Sequence, residues 1–162
     1  MIKINFNNKM FTKKYRQWVE RCYASAVKTL KIDKIPLEVN IAFIGKAQIR
    51  RMNNEFRNID RVTDVLSFPQ IIVEDVSKLC VENYPHDINF ETNNLMLGDL
   101  YICVSKVKSQ SVEYGTGLER EMCYMAIHGL LHLLGYDHIE PEDKIKMRKM
   151  EEKILGKLQI TR

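Results

Sequence analysis

Three of the four histidines of this 162-residue chain, His128, His132 and His138, fall within the eleven-residue run HGLLHLLGYDH. Residues four apart on a helix are offset by about 40° around the axis and about 6 Å along it, so two imidazoles at that spacing can converge on one ion. Gly135 suits a helix end, and the chain reversing there can bring His138 to a third vertex. Three nitrogen ligands, with a fourth position left to water or substrate, point to zinc in its catalytic arrangement; a closed structural site more often adds a cysteine. Nickel, cobalt, manganese and iron stay chemically compatible. His86, in a polar stretch, reads as an ordinary surface histidine.

The spacing HxxxHxxGxxH is that of the metzincin peptidases, whose motif is HExxHxxGxxH. Position 129 here is Gly, where those enzymes carry the glutamate that takes a proton from zinc-bound water, so the peptidase mechanism loses its base. Glu121 lies two turns back, and Asp137 suits orienting a histidine or capping backbone groups. An ion held by three neutral imidazoles keeps most of its double charge, which favours a phosphate over a peptide carbonyl. The segment MNNEFRNIDRVTDVLSFP offers Arg57 and Arg61 to brace such a group, since the planar guanidinium pairs bidentately with phosphate oxygens. The other reading of these arginines is a solvated helix end.

Such a site needs a frame. Apolar residues make up 45% and charged residues 28%, the proportions of an ordinary globular protein. The length fits one metal-dependent hydrolase domain spanning residues 1–162. No run approaches the roughly 18 apolar residues of a membrane span, and residues 1–15 lack the apolar stretch of a signal peptide, so a cytoplasmic protein is expected. Cys22, Cys80, Cys103 and Cys123 are scattered and read as reduced, mostly buried side chains. The net charge of +4 hides a gradient: residues 1–34 carry nine Lys or Arg against two acids, and residues 35–100 six against ten. That polarity permits a polyanion on one face, the alternative being a plain solvated helix surface.

Ile2, Ile4 and Phe6 alternate as a strand, then Phe11, Tyr15, Trp18, Val19, Cys22 and Ala26 give a helical stripe ending near Leu30. Leu37, Val39, Ile41 and Phe43 predict a strand, 47–56 a helix and 63–68 a short strand stopped by Pro69. Residues 70–95 show no sustained period and predict a long connection, with a helical turn or an irregular edge strand at most. A strand follows over 97–104 and a helix over 105–114. Thr116 and Glu119 have capping-box spacing for a helix from about 117 to Leu134. Pro141 opens a last helix whose stripe is Ile145, Met150, Ile154 and Leu158. The expected fold is α+β (mixed α/β): a small, mostly mixed four-stranded sheet with about five surrounding helices, and the metal site at a helix edge in a cleft.

Several blocks resemble the bacterial YbeY family of metal-dependent single-strand endoribonucleases. The signature HGxLHLxGYDH is matched by His128, Gly129, Leu131, His132, Leu133, Gly135, Tyr136, Asp137 and His138. The form NxxYRxxDxPTDVLSFP is matched by Asn53, Arg57, Asp60 and the run from Thr63 to Pro69, with Phe56 in place of Tyr and Val62 in place of Pro. Leu97, Gly98 and Asp99 match an LGD block. The resemblance implies that His128, His132 and His138 are zinc ligands, that Arg57 stands in the active cleft, and that the cleft admits single-stranded RNA. It implies processing of ribosomal RNA, especially the 3′ end of the small-subunit RNA, with ribosome quality control, and the small subunit or its assembly proteins as partners. With RNA as the polyanion, Lys13, Lys14, Arg16 and Arg61 become candidate RNA contacts and Asp137 a residue behind the histidines. The nucleophile stays open between an activated water and the ribose 2′-OH, with no evident general base. Two other readings stand beside it: a hydrolase of another substrate, and a non-catalytic ribosome assembly factor with a structural metal.

Overall fold

The computed structural model describes residues 2–7 and 13–160; Phe11, at the head of the first helical stripe, lies outside them. In chain order the elements are β1 Ile2–Phe6, α1 Lys13–Thr29, β2 Leu37–Ile44, α2 Lys46–Arg57, β3 Val65–Pro69, two 3₁₀ turns at Val76–Lys78 and Val81–Asn83, β4 Ile88–Asn89, β5 Asn94–Cys103, α3 Val104–Glu113, α4 Leu118–Leu133 and α5 Pro141–Lys157. Strands β1, β2 and β5 run parallel, with Ile2 opposite Leu37 and Ile41 opposite Leu100. Strand β3 is antiparallel to the later part of β5 and the two-residue β4 to its start. The mixed sheet and five helices agree with the expected α+β class. The described sheet has one strand more than the four expected, the two-residue β4, which falls in the stretch 70–95 where the sequence allows an irregular edge strand.

The alternation of β2 sorts its residues between two covered faces rather than between core and solvent. Leu37, Val39, Ile41 and Phe43 join Trp18, Val19, Cys22 and Tyr23 of α1 and the apolar side of α4 in the main core. Ala42 and Ile44 face the other way, onto Ile49 of α2, Leu66 and Cys103. Full burial of each large side chain contributes about 1.5–3 kcal/mol, so these layers hold the site elements in place. All four cysteines are free, and Cys22, Cys103 and Cys123 are buried. Hydrogen bonding to Cys123, with burial, raises the pKa of the Cys22 thiol and keeps it protonated. No helix among the described residues is long and apolar enough to cross a membrane.

Two local expectations are corrected. Helix α4 does not open with a Thr116–Glu119 capping box: Gly117 is the cap residue, at φ 82° and without a side-chain hydrogen bond. Thr116 Oγ1 instead donates to Glu121 Oε1 at 2.5 Å, while Glu119 pairs with Arg21 of α1. The buried Glu121 carboxylate needs donors and takes the hydroxyl that the cap would have used. Helix α5 exists as expected, but its inward residues are Met147, Glu151, Ile154 and Leu155, and Ile145 is exposed. Met150, Ile154 and Leu158 of the expected stripe do pack against the core, and only Ile145 points away, while the buried Glu151 takes a place on the inward face that an apolar pattern does not mark.

Candidate metal centre

Helix α4 is packed on nearly all sides. Beyond its first turn, the positions that keep partial exposure are Tyr124, His128 and His132, a single i, i+4, i+8 line. That line is the floor of the candidate site. The rings of His128 and His132 meet edge to face with centroids 4.6 Å apart, and His138 closes the group at 5.4 Å and 4.9 Å from them. One nitrogen from each of the three lies within 4.8 Å of the others, and the Nε2 atoms of His128 and His132 are 3.1 Å apart. Ligand nitrogens on a tetrahedral zinc stand roughly 3.3 Å from one another. The donor set fits one such ion.

Two of the three rings are held from behind. His128 Nδ1 donates to Glu151 Oε1 at 2.7 Å, and His132 Nδ1 donates to the Tyr136 carbonyl at 2.9 Å. With the proton on Nδ1, the Nε2 lone pairs point into the site, the tautomer that metal ligation needs. Burial, then the proximity of His128 and His138, pushes the His132 pKa down to about 4, so this ring is neutral near pH 7. Glu151, only 3% exposed, escaped sequence reasoning; a glutamate in phase with Met147, Ile154 and Leu155 was the available signal.

Two glycines explain the local geometry. At Gly129 a Cβ would stand 2.1 Å from Leu100 Cδ1 in the sheet, so this position faces β5 and has no room for a peptidase-type glutamate. Gly135, at φ 85°, ends α4 as a Schellman motif: its N–H donates to the His132 carbonyl and the Tyr136 N–H to the Leu131 carbonyl. The same turn brings the Tyr136 carbonyl beneath His132 and sends the chain back toward His138. Asp137 Oδ1 accepts from the His138 N–H at 2.6 Å, a backbone-capping part.

The three histidines open on a cleft of about 650 Å³ whose opposite wall carries Arg57, Ser67 and Asp64, with Asp137 at its rim. Arg57 is the last residue of α2. Asn58 follows in the left-handed conformation, and the loop is pinned by Asn53 Nδ2 on the Arg61 carbonyl at 2.9 Å and by the bidentate Arg50–Asp60 pair at 2.7 and 2.8 Å. The guanidinium makes one long contact, Nη2 to the Ser67 carbonyl at 3.4 Å. Phe56 keeps an aromatic wall beside it, edge-on to Phe68 at 5.1 Å. Asp64, matched only as part of a motif, is a second carboxylate of the cleft; it accepts from the Val65 N–H and from Gln110 Nε2, each at 2.9 Å. Arg61 is exposed but does not line the cleft. Neither do Lys13, Lys14 and Arg16, on the first turn of α1, where Lys14 lies over the Trp18 ring and Arg16 over Phe6.

Two histidines on a helix and a third from the loop that follows it, able together to hold a metal ion and sharing a cleft with an arginine on a mixed α+β sheet, define the class. The family is equally definite: residues 2–159 match the model of the family Endoribonuclease YbeY, and the chain belongs to it. Among proteins named Endoribonuclease YbeY, that of Clostridium botulinum strain Alaska E43 is 45% identical over 131 residues, 79% of each chain. That of Clostridium botulinum strain 657 is 40% identical over 158 residues, 96% of this chain and 92% of its own. The solution structure of TM1509 from Thermotoga maritima is similar to this chain with a TM-score of 0.57 at 29% identity, covering 98% of this chain and 92% of that one.

Proposed function

We propose that this chain is a zinc-dependent endoribonuclease that cuts single-stranded RNA, with residues 1–162 acting as one hydrolase domain in the cytoplasm. Its substrate is ribosomal RNA, at the 3′ end of the small-subunit RNA, and it serves ribosome quality control alongside the small subunit or its assembly proteins. The observation that carries this reading is that the three-histidine group and Arg57 open on one cleft in a chain of the YbeY family.

His128, His132 and His138 hold the ion, and Glu151 and the Tyr136 carbonyl aim two of the rings. When bound, zinc supplies a Lewis acid that polarises a phosphoryl oxygen and acidifies water. Arg57, which lines the cleft, binds non-bridging phosphate oxygens and stabilises the charge that develops on them. Asp137 keeps the loop bearing His138 in place. Arg61, Lys13, Lys14 and Arg16 contact the RNA outside the cleft, raising affinity without touching the reacting atoms; reversing Lys13, Lys14 and Arg16 to Glu then weakens binding and flattens its salt dependence.

The test is to measure the metal content of the purified protein and its cleavage of ribosomal RNA beside an Arg57→Ala variant. Wild type should contain one zinc and cut; Arg57→Ala should retain zinc and lose about a hundredfold in rate. A wild type that binds RNA and zinc and never cuts would instead be an assembly factor with a structural metal.

A further inference from the structure

A second cavity, of about 430 Å³, lies on the far side of the histidines and shares His128, His138 and Asp64 with the cleft. We infer that it is a nucleobase subsite, seating the base of a nucleotide next to the phosphate held between the histidines and Arg57. This rests on the endoribonuclease reading above.

The two cavities meet at the histidines, so a strand whose phosphate lies there must place a neighbouring nucleotide on each side. Their chemistry differs. The cleft offers Arg57 and the metal ligands, a setting for a phosphate. The second cavity is lined by Asp64, Glu121, Glu151 and Glu152 against Arg120, Lys144 and Arg148, so it carries no net positive charge, and Glu121 and Glu152 already pair with Arg120 at 3.0 and 3.6 Å. A polyanion gains little there, whereas a neutral polar ring fits. The volume is within the range of small-molecule pockets.

The lining also has the parts that read a base. Gln110, 8% exposed, and Arg120, 4% exposed, each keep one buried polar atom without a hydrogen-bond partner among the described residues, Gln110 Oε1 and Arg120 Nε. One is an acceptor and the other a donor, the two kinds of group that a base edge pairs with; both are closed from solvent in the empty cavity, so a base reaches them through a shift of the lining side chains. The Gln110 amide is already oriented, because its Nε2 donates to Asp64. Tyr114, at the end of α3 and 54% exposed, is an aromatic ring at the mouth able to cover a base, while the Tyr124 ring is occupied by Arg120 at 5.7 Å and His128 at 6.0 Å. Stacking on an aromatic side chain is a sequence-tolerant way to hold single-stranded nucleic acid.

The experiment walks one abasic ribose through a set of short dye-labelled RNAs, measuring binding to the zinc-loaded protein by fluorescence anisotropy and cutting on a gel in parallel. For wild type, one position should weaken binding by about tenfold when its base is removed. In Tyr114→Ala and in Gln110→Met the intact RNA should bind about as weakly as that abasic RNA does to wild type, and removing both partners should cost no more than removing one. Melting curves close to wild type confirm that both variants are folded. Losses that simply multiply, or a wild-type profile flat at every position, overturn the subsite even where the RNA is cut. A responsive profile with no cutting keeps the subsite and overturns the nuclease reading.

Discussion

Among the described residues, two conspicuous polar clusters lie on opposite faces of the sheet, and they are built to opposite specifications. On one face Glu38, with no solvent exposure, receives Asn5 Nδ2 at 2.6 Å, Asn89 and Asn94 Nδ2 at 3.1 Å each, Lys3 Nζ at 3.4 Å and the Thr92 hydroxyl. Burial alone would raise its pKa, but the donors from Thr92, Asn5 and Asn94, with the Lys3 charge, outweigh it and bring the carboxyl down to about 2. On the other face, His128 and His132 are satisfied only at Nδ1, and their Nε2 atoms confront each other at 3.1 Å, lone pair against lone pair. A saturated cluster ties β1, β4 and β5 together and has nothing left to offer a ligand. A cluster anchored from behind and unsatisfied in front is able to take a metal ion, and that contrast separates a pin from a candidate site.

The sharpest way to break the contrast is His132→Ala. Zinc content should fall to near zero and RNA cleavage by about a thousandfold or more, because two nitrogens are too few to hold the ion. The metal-free variant should unfold within about 1 kcal/mol of metal-free wild type, since a neutral, part-exposed ring is removed rather than a saturated partner. A large loss of metal-free stability would move the histidines into the same class as Glu38.

Glu38→Ala is the mirror experiment. Removing the acceptor strands the donors around it, and a loss of about 3 kcal/mol in urea unfolding is expected, with zinc content unchanged. Reduced zinc binding in a folded Glu38→Ala protein would show that the two faces are coupled.

Glu151→Gln probes the seam between the classes, as a buried carboxylate that serves the site. The amide oxygen can still accept from His128 Nδ1, but the charge that makes the ring a stronger ligand is gone. Zinc affinity, measured by competition with a chromogenic chelator, should weaken by about ten- to a hundredfold while the fold persists. Unchanged affinity would make Glu151 a packing residue only.

The sequence displayed the unsatisfied cluster far better than the saturated one. Histidine is rare, and three in eleven residues at helical spacing carry their own geometry, with Gly135 marking the reversal. Glu38 sits in an alternating strand where sequence logic assigns a polar residue to solvent; its partners arrive from β1, from β4, from the turn after it and from the first residue of β5, which no local pattern connects. The same blindness hid Glu151, whose burial depends on α5 packing beneath α4, and the two-residue β4, whose pairing with β5 is longer-range than any periodicity. Arg57 was legible as a phosphate-binding type, but its place opposite the histidines comes from β3 running antiparallel to β5, a fact of topology.

The mildest test of the contrast leaves every atom in place and changes only the proton on Glu38. Its carboxyl titrates near 2 in the folded chain against an ordinary 4.5, so the folded state favours the charged form. Its contribution is therefore complete above about pH 4.5 and drains away as pH falls toward 2. The protonated acid still accepts some of its hydrogen bonds, so the loss should be on the order of 2 kcal/mol, less than for Glu38→Ala. Urea unfolding of the metal-free protein across this window, beside Glu38→Gln, isolates the effect. The stability gap between the two proteins should be widest near neutral pH and close toward acid. If the gap stays constant, the Glu38 charge contributes nothing and the cluster holds the strands by hydrogen-bond geometry alone.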